Sequence, residues 1–87
     1  MSCVYILYSK KTGKSYVGSS HNDDSKNRLI EHNRGKTRST KYGCPWILVY
    51  EEKMANYTEA RKQELFLKSG IGRQQVKKII TERCLSG

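Results

Sequence analysis

The segment from Cys3 to Ser9 constrains the fold most, because it is apolar or aromatic on both faces of an extended chain. Side chains alternate along a strand, so Cys3, Tyr5 and Leu7 share one face and the residues between them share the other. A strand with two such faces has to be covered on both sides. The segment is therefore expected to be the central strand of a sheet.

A hairpin and a helix follow this strand. Gly13 marks a turn, and Ser15–Ser19 is the second short strand. Asp23 and Asp24 suit the start of a helix, where backbone amides are unpaired and negative charge is favoured. Gly35 is a natural residue to end that helix.

The second half of the chain predicts one strand and two helices. Trp46–Glu52 reads as the third strand, and Asn56 with Glu59 has the form of a capping box that opens a helix. Gly70 is expected to end this helix, and the last one is expected from about Arg73 to Cys84. The fold predicted for residues 1–87 is a single α/β domain. Its small antiparallel sheet of three strands is flanked by three helices, in the order β-β-α-β-α-α.

The composition points to a polyanionic partner. Lys and Arg total 17 against 8 Asp and Glu, giving a formal charge of +9 in 87 residues. Nucleic acid is the commonest polyanion, and an inert basic surface is the alternative. There is no long apolar run and no basic start before an apolar stretch, so a cytoplasmic protein without membrane contact is expected. The three cysteines form no C-x-x-C pair, which favours reduced thiols over a zinc site.

Two tyrosines and a glycine mark the hairpin. Tyr5 and Tyr16 fall on adjacent strands, where a tyrosine is usually a packing residue. Gly18 lies on the same strand face as Tyr16, and it indicates either an open floor beside a phenol or a bulge.

Three further residues could act on a phosphate. Arg28 and His32 are four apart and share a helix face, either as a phosphate-binding and proton-transferring pair or as a solvent-facing basic pair. Glu31 beside them is expected at the surface. Glu64 follows Ala60 by four positions on the helix face that should meet the sheet. A buried carboxylate there would hold Mg²⁺ or form a salt bridge to Arg28 or Lys62. The five side chains expected on one wall of the domain are Tyr5, Tyr16, Arg28, His32 and Glu64. Together they match what phosphodiester cleavage requires: a base, a cation, and donors for the developing charge.

At this point the chain resembles the GIY-YIG nuclease family over nearly the whole of that family's domain. The two family triplets appear as Cys3-Val4-Tyr5 and Tyr16-Val17-Gly18, with their tyrosines eleven positions apart. Arg28–Asn33 is similar to the family's catalytic-arginine helix, and Trp46–Tyr50 is similar to its third strand. Glu59–Glu64 is similar to the metal-ligand helix, and Leu67–Gly70 followed by Gly72-Arg73 is similar to the small stand-alone bacterial members. Cys3 stands where the family has its first glycine, and the loop from Ser19 to Asn27 is slightly longer than usual.

The resemblance implies a DNA endonuclease with one Mg²⁺ or Mn²⁺ held by Glu64. Tyr5 or Tyr16 would be the general base, and the other would orient water or the oxyanion. Arg28 would clamp the phosphate and His32 would assist.

Larger members of the family carry a separate DNA-binding domain, whereas this chain is expected to bind DNA through its own basic residues. Its binding is therefore expected to be weak and salt-dependent. The residues expected to bind DNA, including single-stranded or branched DNA in repair, are Gly18, Lys14, Lys36, Arg38, Lys41 and Arg73. A monomer is expected, and a protein partner stays open. The alternatives are a nucleic-acid-binding module without catalysis and a nuclease subunit that acts only with a partner.

Overall fold

A computed structural model describes residues 2–22, 24–35, 38 and 40–85 of the protein. Its strands and helices are β1 (Ser2–Ser9), β2 (Lys14–Ser20), α1 (Ser25–Asn33), β3 (Trp46–Met54), α2 (Tyr57–Lys68) and α3 (Gly70–Ile80). A single 3₁₀ turn at Lys41–Gly43 precedes β3, and a π-helical turn at Thr81–Leu85 follows α3. Within the described residues, no helix has both the length and the apolar character that crossing a bilayer requires.

The sheet is antiparallel with the order β2-β1-β3, so β1 is central, as its two apolar faces predicted. One face carries Val4 and Ile6, which pack with Leu67 of α2 and Val76 of α3. The other face carries Cys3, Tyr5 and Leu7 together with Trp46, and Leu29 of α1 packs against them. The helices are therefore divided between the two faces, with α1 on one and α2 and α3 on the other.

The start of α1 differs from the prediction, whereas its end agrees. Asp24 occupies the position before the helix, but its carboxylate does not cap the backbone. It accepts a hydrogen bond from Ser20 Oγ at 2.6 Å instead. Asp23 lies outside the described residues. Gly35 adopts a φ of 75°, and its amide donates to the carbonyl of His32, which is the expected helix end.

The boundary between α2 and α3 was predicted wrongly. Ser69, and not Gly70, separates the two helices, and its hydroxyl accepts from the amide of Gly72 as an N-terminal cap. A serine cap is a stronger helix-start signal than a glycine is a stop, so α3 begins three residues before the predicted Arg73. A Cβ on Gly72 would collide with the backbone of Phe66, and this close approach makes the corner between α2 and α3 tight.

Candidate active site

A buried chain of three polar side chains connects the central strand to α1. The Tyr5 hydroxyl lies 3.3 Å from Nε2 of His32, and Nδ1 of His32 lies 2.8 Å from Oγ1 of Thr40. Tyr5, His32 and Thr40 are each less than 5% exposed. Tyr5 is placed by β1 and His32 by the last turn of α1, so two regular elements fix the hydrogen bond between them.

Burial determines the protonation states of Tyr5 and His32. It raises the pKa of Tyr5, with a further contribution from Tyr16, and it lowers the pKa of His32. Both groups are therefore neutral near pH 7. In the tautomer with the proton on Nδ1, the Tyr5 hydroxyl donates to Nε2 of His32 and Nδ1–H donates to Thr40 Oγ1. In that tautomer the imidazole can accept a proton from the phenol.

Tyr16 and Gly18 complete the α1 side of β2. The Tyr16 ring is half-buried, and its centroid lies 4.8 Å from that of His32 and 6.5 Å from that of Tyr5. Gly18 pairs with Tyr5 across the two strands, and a Cβ at Gly18 would lie only 2.6 Å from the Tyr5 hydroxyl oxygen. The pairing of β1 with β2 has no bulge at this point. Gly18 is buried beneath the Tyr5 phenol, so the close contact with this ring explains why the position needs a glycine. No close approach of a DNA backbone is required to explain it.

Arg28 is anchored on the same side by three neighbours. Its Nε donates to Ser20 Oγ at 3.2 Å, and Nη1 donates to Oε2 of Glu31 at 3.1 Å. Asp24 Oδ1 lies 3.9 Å from Nε. About a third of the side chain stays exposed, at 35%. Arg28 is therefore held in place yet open to an anion, and Glu31, expected to be an ordinary surface residue, is one of its anchors.

Glu64 is buried as predicted but lies on the opposite face of the sheet. Glu64 is 5% exposed, and its Oε1 accepts a hydrogen bond from Ser19 Oγ. Ser19 alternates with Tyr16 and Gly18 along β2, so it faces α2 while they face α1. The expectation that all five residues share one wall is therefore wrong. The two tyrosines, Arg28 and His32 lie on the α1 face of the sheet, whereas Glu64 lies on the α2 face, on the other side of the edge strand β2.

Lys68 links the two faces. Its Nζ lies 2.6 Å from Oε2 of Glu64 and 6.0 Å from the centre of the Tyr16 ring. Arg61 Nη1 also donates to Oε2, at 2.8 Å. These partners replace the expected ones, because Arg28 is on the other face and Lys62 pairs with Glu59 at 3.7 Å.

Glu64 remains a carboxylate at neutral pH. Burial favours its protonated form, but hydrogen bonds from Lys68, Ser19 and Arg61 outweigh burial and lower its pKa. Arg61 and Lys68 are about half exposed, at 50% and 46%, whereas the carboxylate that they share is buried, so another cation would have to compensate its charge if they moved away.

The residues around Glu64 fit a magnesium-type cation better than a zinc-type one. In residues 2–22, 24–35, 38 and 40–85, no three His, Cys, Asp or Glu side chains are grouped to hold a metal. A cation at Glu64 would take one carboxylate from this part of the chain and complete its shell with water and substrate. Mg²⁺ and Mn²⁺ accept such a site, whereas structural Zn²⁺ does not.

The residues expected to bind DNA fall into separate places. Lys14 and Arg73 are exposed and line one cleft beside β2. Arg38 and Lys41 are exposed in the connection between α1 and β3. Lys36 lies outside the described residues.

Several residues of the site were missed by sequence reasoning. Lys68 and Arg61 stand four after and three before Glu64, so helix spacing alone could have found them. Ser19, Ser20 and Thr40 carry no local signal, because each meets its partner only through the tertiary fold.

Comparisons with known proteins give the family of this chain. Residues 1–77 match the family model described as the GIY-YIG catalytic domain. A UPF0213 protein of Staphylococcus haemolyticus is 37% identical over 81 residues, covering 92% of this chain and 94% of its own. A UPF0213 protein of Staphylococcus saprophyticus is 36% identical over 80 residues, covering 91% and 93%. No solved structure matches. On the strength of the family match over most of its length, this chain belongs to the GIY-YIG nuclease family.

Proposed function

We propose that the protein is a metal-dependent endonuclease that hydrolyses DNA phosphodiester bonds. One observation carries the proposal: a buried tyrosine lies within hydrogen-bond distance of a neutral histidine, beside a half-exposed phenol and an anchored guanidinium. This is a proton acceptor next to an anion site, on a chain of net charge +9.

Tyr5 and His32 act together as the base. A neutral phenol can take a proton from water only if it gives up its own, and Nε2 of His32 is placed to receive it. The water oxygen forms the new bond to phosphorus while the bond to the leaving oxygen breaks. The leaving oxygen takes a proton from solvent, and His32 returns its proton to solvent. Tyr16, the more exposed phenol, orients the attacking water.

Arg28 and the Glu64 side of β2 hold the phosphate from two directions. The guanidinium of Arg28 binds a phosphate oxygen and stabilises the charge that develops on it. Glu64 would hold a Mg²⁺ or Mn²⁺ ion, with the hydroxyl of Ser19 beside it, and the ion would supply positive charge to the phosphate. Arg61 and Lys68 neutralise Glu64 in this structure, and with an ion in their place they would be able to turn toward the substrate.

Nicking of supercoiled plasmid by purified protein tests the proposal. With Mg²⁺ or Mn²⁺ the protein should nick DNA, and chelator should stop it. Tyr5→Phe, Arg28→Ala and Glu64→Gln should each slow nicking by about a hundredfold or more, the usual loss for a catalytic donor or base.

Lys26→Ala is the matched control, because Lys26 is exposed on α1 and its loss changes the charge as Arg28→Ala does. Circular dichroism should show all four variants folded. Nicking that persists in chelator, or site variants as active as Lys26→Ala, would reject the mechanism.

One observation favours a second candidate, a nucleic-acid-binding module without catalysis. The Glu64 carboxylate is already compensated by two cations and a hydroxyl, so the fold does not need a metal to keep it charged. Such a module would bind DNA equally well in chelator and would cleave no single-stranded, branched or duplex substrate.

A further inference from the structure

A cleft of about 920 Å³ lies between the β1–β2 hairpin and α3. Its floor is formed by apolar side chains of the α2 and α3 face, among them Val17, Leu67 and Val76. Tyr8 and Tyr16 contribute aromatic rings to its lining. This volume is near the upper end of the roughly 300–1,000 Å³ typical of small-ligand sites, so the cleft has room for more than one nucleotide.

The charged lining of the cleft has a single sign. Its charged residues are four cations, Lys14, Lys68, Arg73 and Lys77, and no acidic residue lines it in the described part of the chain. An apolar floor surrounded by cations is complementary to a ligand with flat apolar groups on a polyanionic backbone. A single strand of nucleic acid has this combination.

The cleft is continuous with the candidate active site. Tyr16 and Lys68 line it, and the same two residues contact the site on both sides of β2: Tyr16 packs against His32, and Lys68 binds Glu64. A strand lying in the cleft therefore reaches the edge of β2 where a phosphate would be cleaved.

A duplex does not satisfy this surface. Its bases are stacked inside, so only its phosphates would meet the cations and the apolar floor would stay uncovered. We propose that the cleft between the β1–β2 hairpin and α3 binds unpaired DNA next to the cleavage site, with bases against Tyr8 and the apolar floor and phosphates against Lys14, Arg73 and Lys77. That the bound DNA leads to a cleavage site rests on the proposed function, whereas its binding in the cleft does not.

Fluorescence anisotropy in chelator tests the proposal without any cleavage. The probes are a labelled oligothymidylate of about 16 nucleotides, within the usual site size of a single-strand-binding fold, and a duplex of equal length. Wild type should bind the oligothymidylate more tightly. Lys77→Glu should weaken this binding by about tenfold and flatten its salt dependence, since one phosphate contact is lost.

Lys78→Glu is the matched control, because it makes the same charge change at an exposed neighbour on α3 that does not line the cleft. Tyr8→Leu keeps the floor apolar and removes a stacking ring. It should weaken oligothymidylate binding by about tenfold, in line with the usual worth of a stacked base, and leave binding of an abasic oligomer unchanged.

Equal weakening by Lys77→Glu and Lys78→Glu, or a duplex bound as tightly as the single strand, overturns the proposal. Glu64→Gln separates the two functions, because it releases Lys68 toward the cleft and should bind oligothymidylate at least as tightly as wild type while cleaving nothing. A wild-type protein that binds through the cleft but nicks no DNA would reject the nuclease and leave the cleft assignment standing.

Discussion

Replacing Gly18 by alanine should disable the site while leaving the fold nearly intact. The added Cβ would lie 2.6 Å from the Tyr5 hydroxyl oxygen and 2.7 Å from Cζ, whereas ordinary contacts begin at 3.4 Å. The phenol therefore has to move by about 0.8 Å, the difference between 3.4 and 2.6. Its hydrogen bond to His32 is already 3.3 Å long, so a shift of this size disrupts the hydrogen-bond geometry.

The magnitudes for activity and stability should differ. A displacement of about 1 Å in a catalytic group costs about a hundredfold in rate, and we expect a loss of that size in nicking. Inserting a methyl into a packed region costs about 1–3 kcal/mol, and the lower end applies because the clash is with the far end of a side chain. For a domain of this size, about 1 kcal/mol lowers Tm by roughly 4–8 °C.

Plasmid nicking and thermal unfolding measure the two effects. Gly70→Ala is the control, because a Cβ there meets nothing within 4 Å. It should leave nicking unchanged and Tm unchanged or slightly higher. The His32 imidazole signals in a long-range ¹H–¹⁵N spectrum should change in Gly18→Ala only. Nicking by Gly18→Ala within about twofold of wild type, less than 0.5 kcal/mol in the barrier, would refute the view that Gly18 sets the position of the phenol.

Three other outcomes are expected. Because burial lowers the pKa of His32, nicking should persist below pH 6.5, the ordinary histidine value, and fall only at lower pH. As pH falls, His32 is protonated in the unfolded chain at a higher pH than in the folded protein. The free energy of unfolding should therefore be unaffected by His32 above about pH 6.5 and decline as pH falls toward the folded pKa. His32→Gln should remove that decline in thermal melts across pH. Glu64→Gln should cost about 1 kcal/mol, since the cations it releases return to solvent. Because the pKa of Glu64 is lowered from 4.5, wild type should also lose stability as pH falls below that value, and Glu64→Gln should remove this contribution. Gly72→Ala, which clashes with unyielding backbone, should cost about 3 kcal/mol in urea unfolding, and a smaller loss than Gly18→Ala shows would contradict the tight corner.

The sequence predicts the strands and the buried face of α2 well, because these depend on periodicity. The alternation in β1 and the placement of Glu64 with Ala60 on the inner face of α2 are confirmed. Helix ends were predicted less well where two signals competed, as at Ser69, whose cap displaced the predicted break at Gly70.

The site could be predicted as a set of residues but not as an arrangement. The helix carboxylate and the phenols were assigned to one wall because sequence spacing does not reveal which helix covers which face of the sheet. Only the packing of α2 against the Ser19 side of β2 shows that Glu64 lies across the edge strand from Tyr16.

This division of the site across β2 restricts how the protein can evolve. Tyr16 and Gly18 point to one face and Val17 and Ser19 to the other, so inserting or deleting one residue among them would exchange the faces and turn Ser19 away from Glu64. A change of length at the turn around Gly13 leaves this alternation intact, whereas an odd insertion within these four residues would separate the Glu64 carboxylate from the Ser19 hydroxyl.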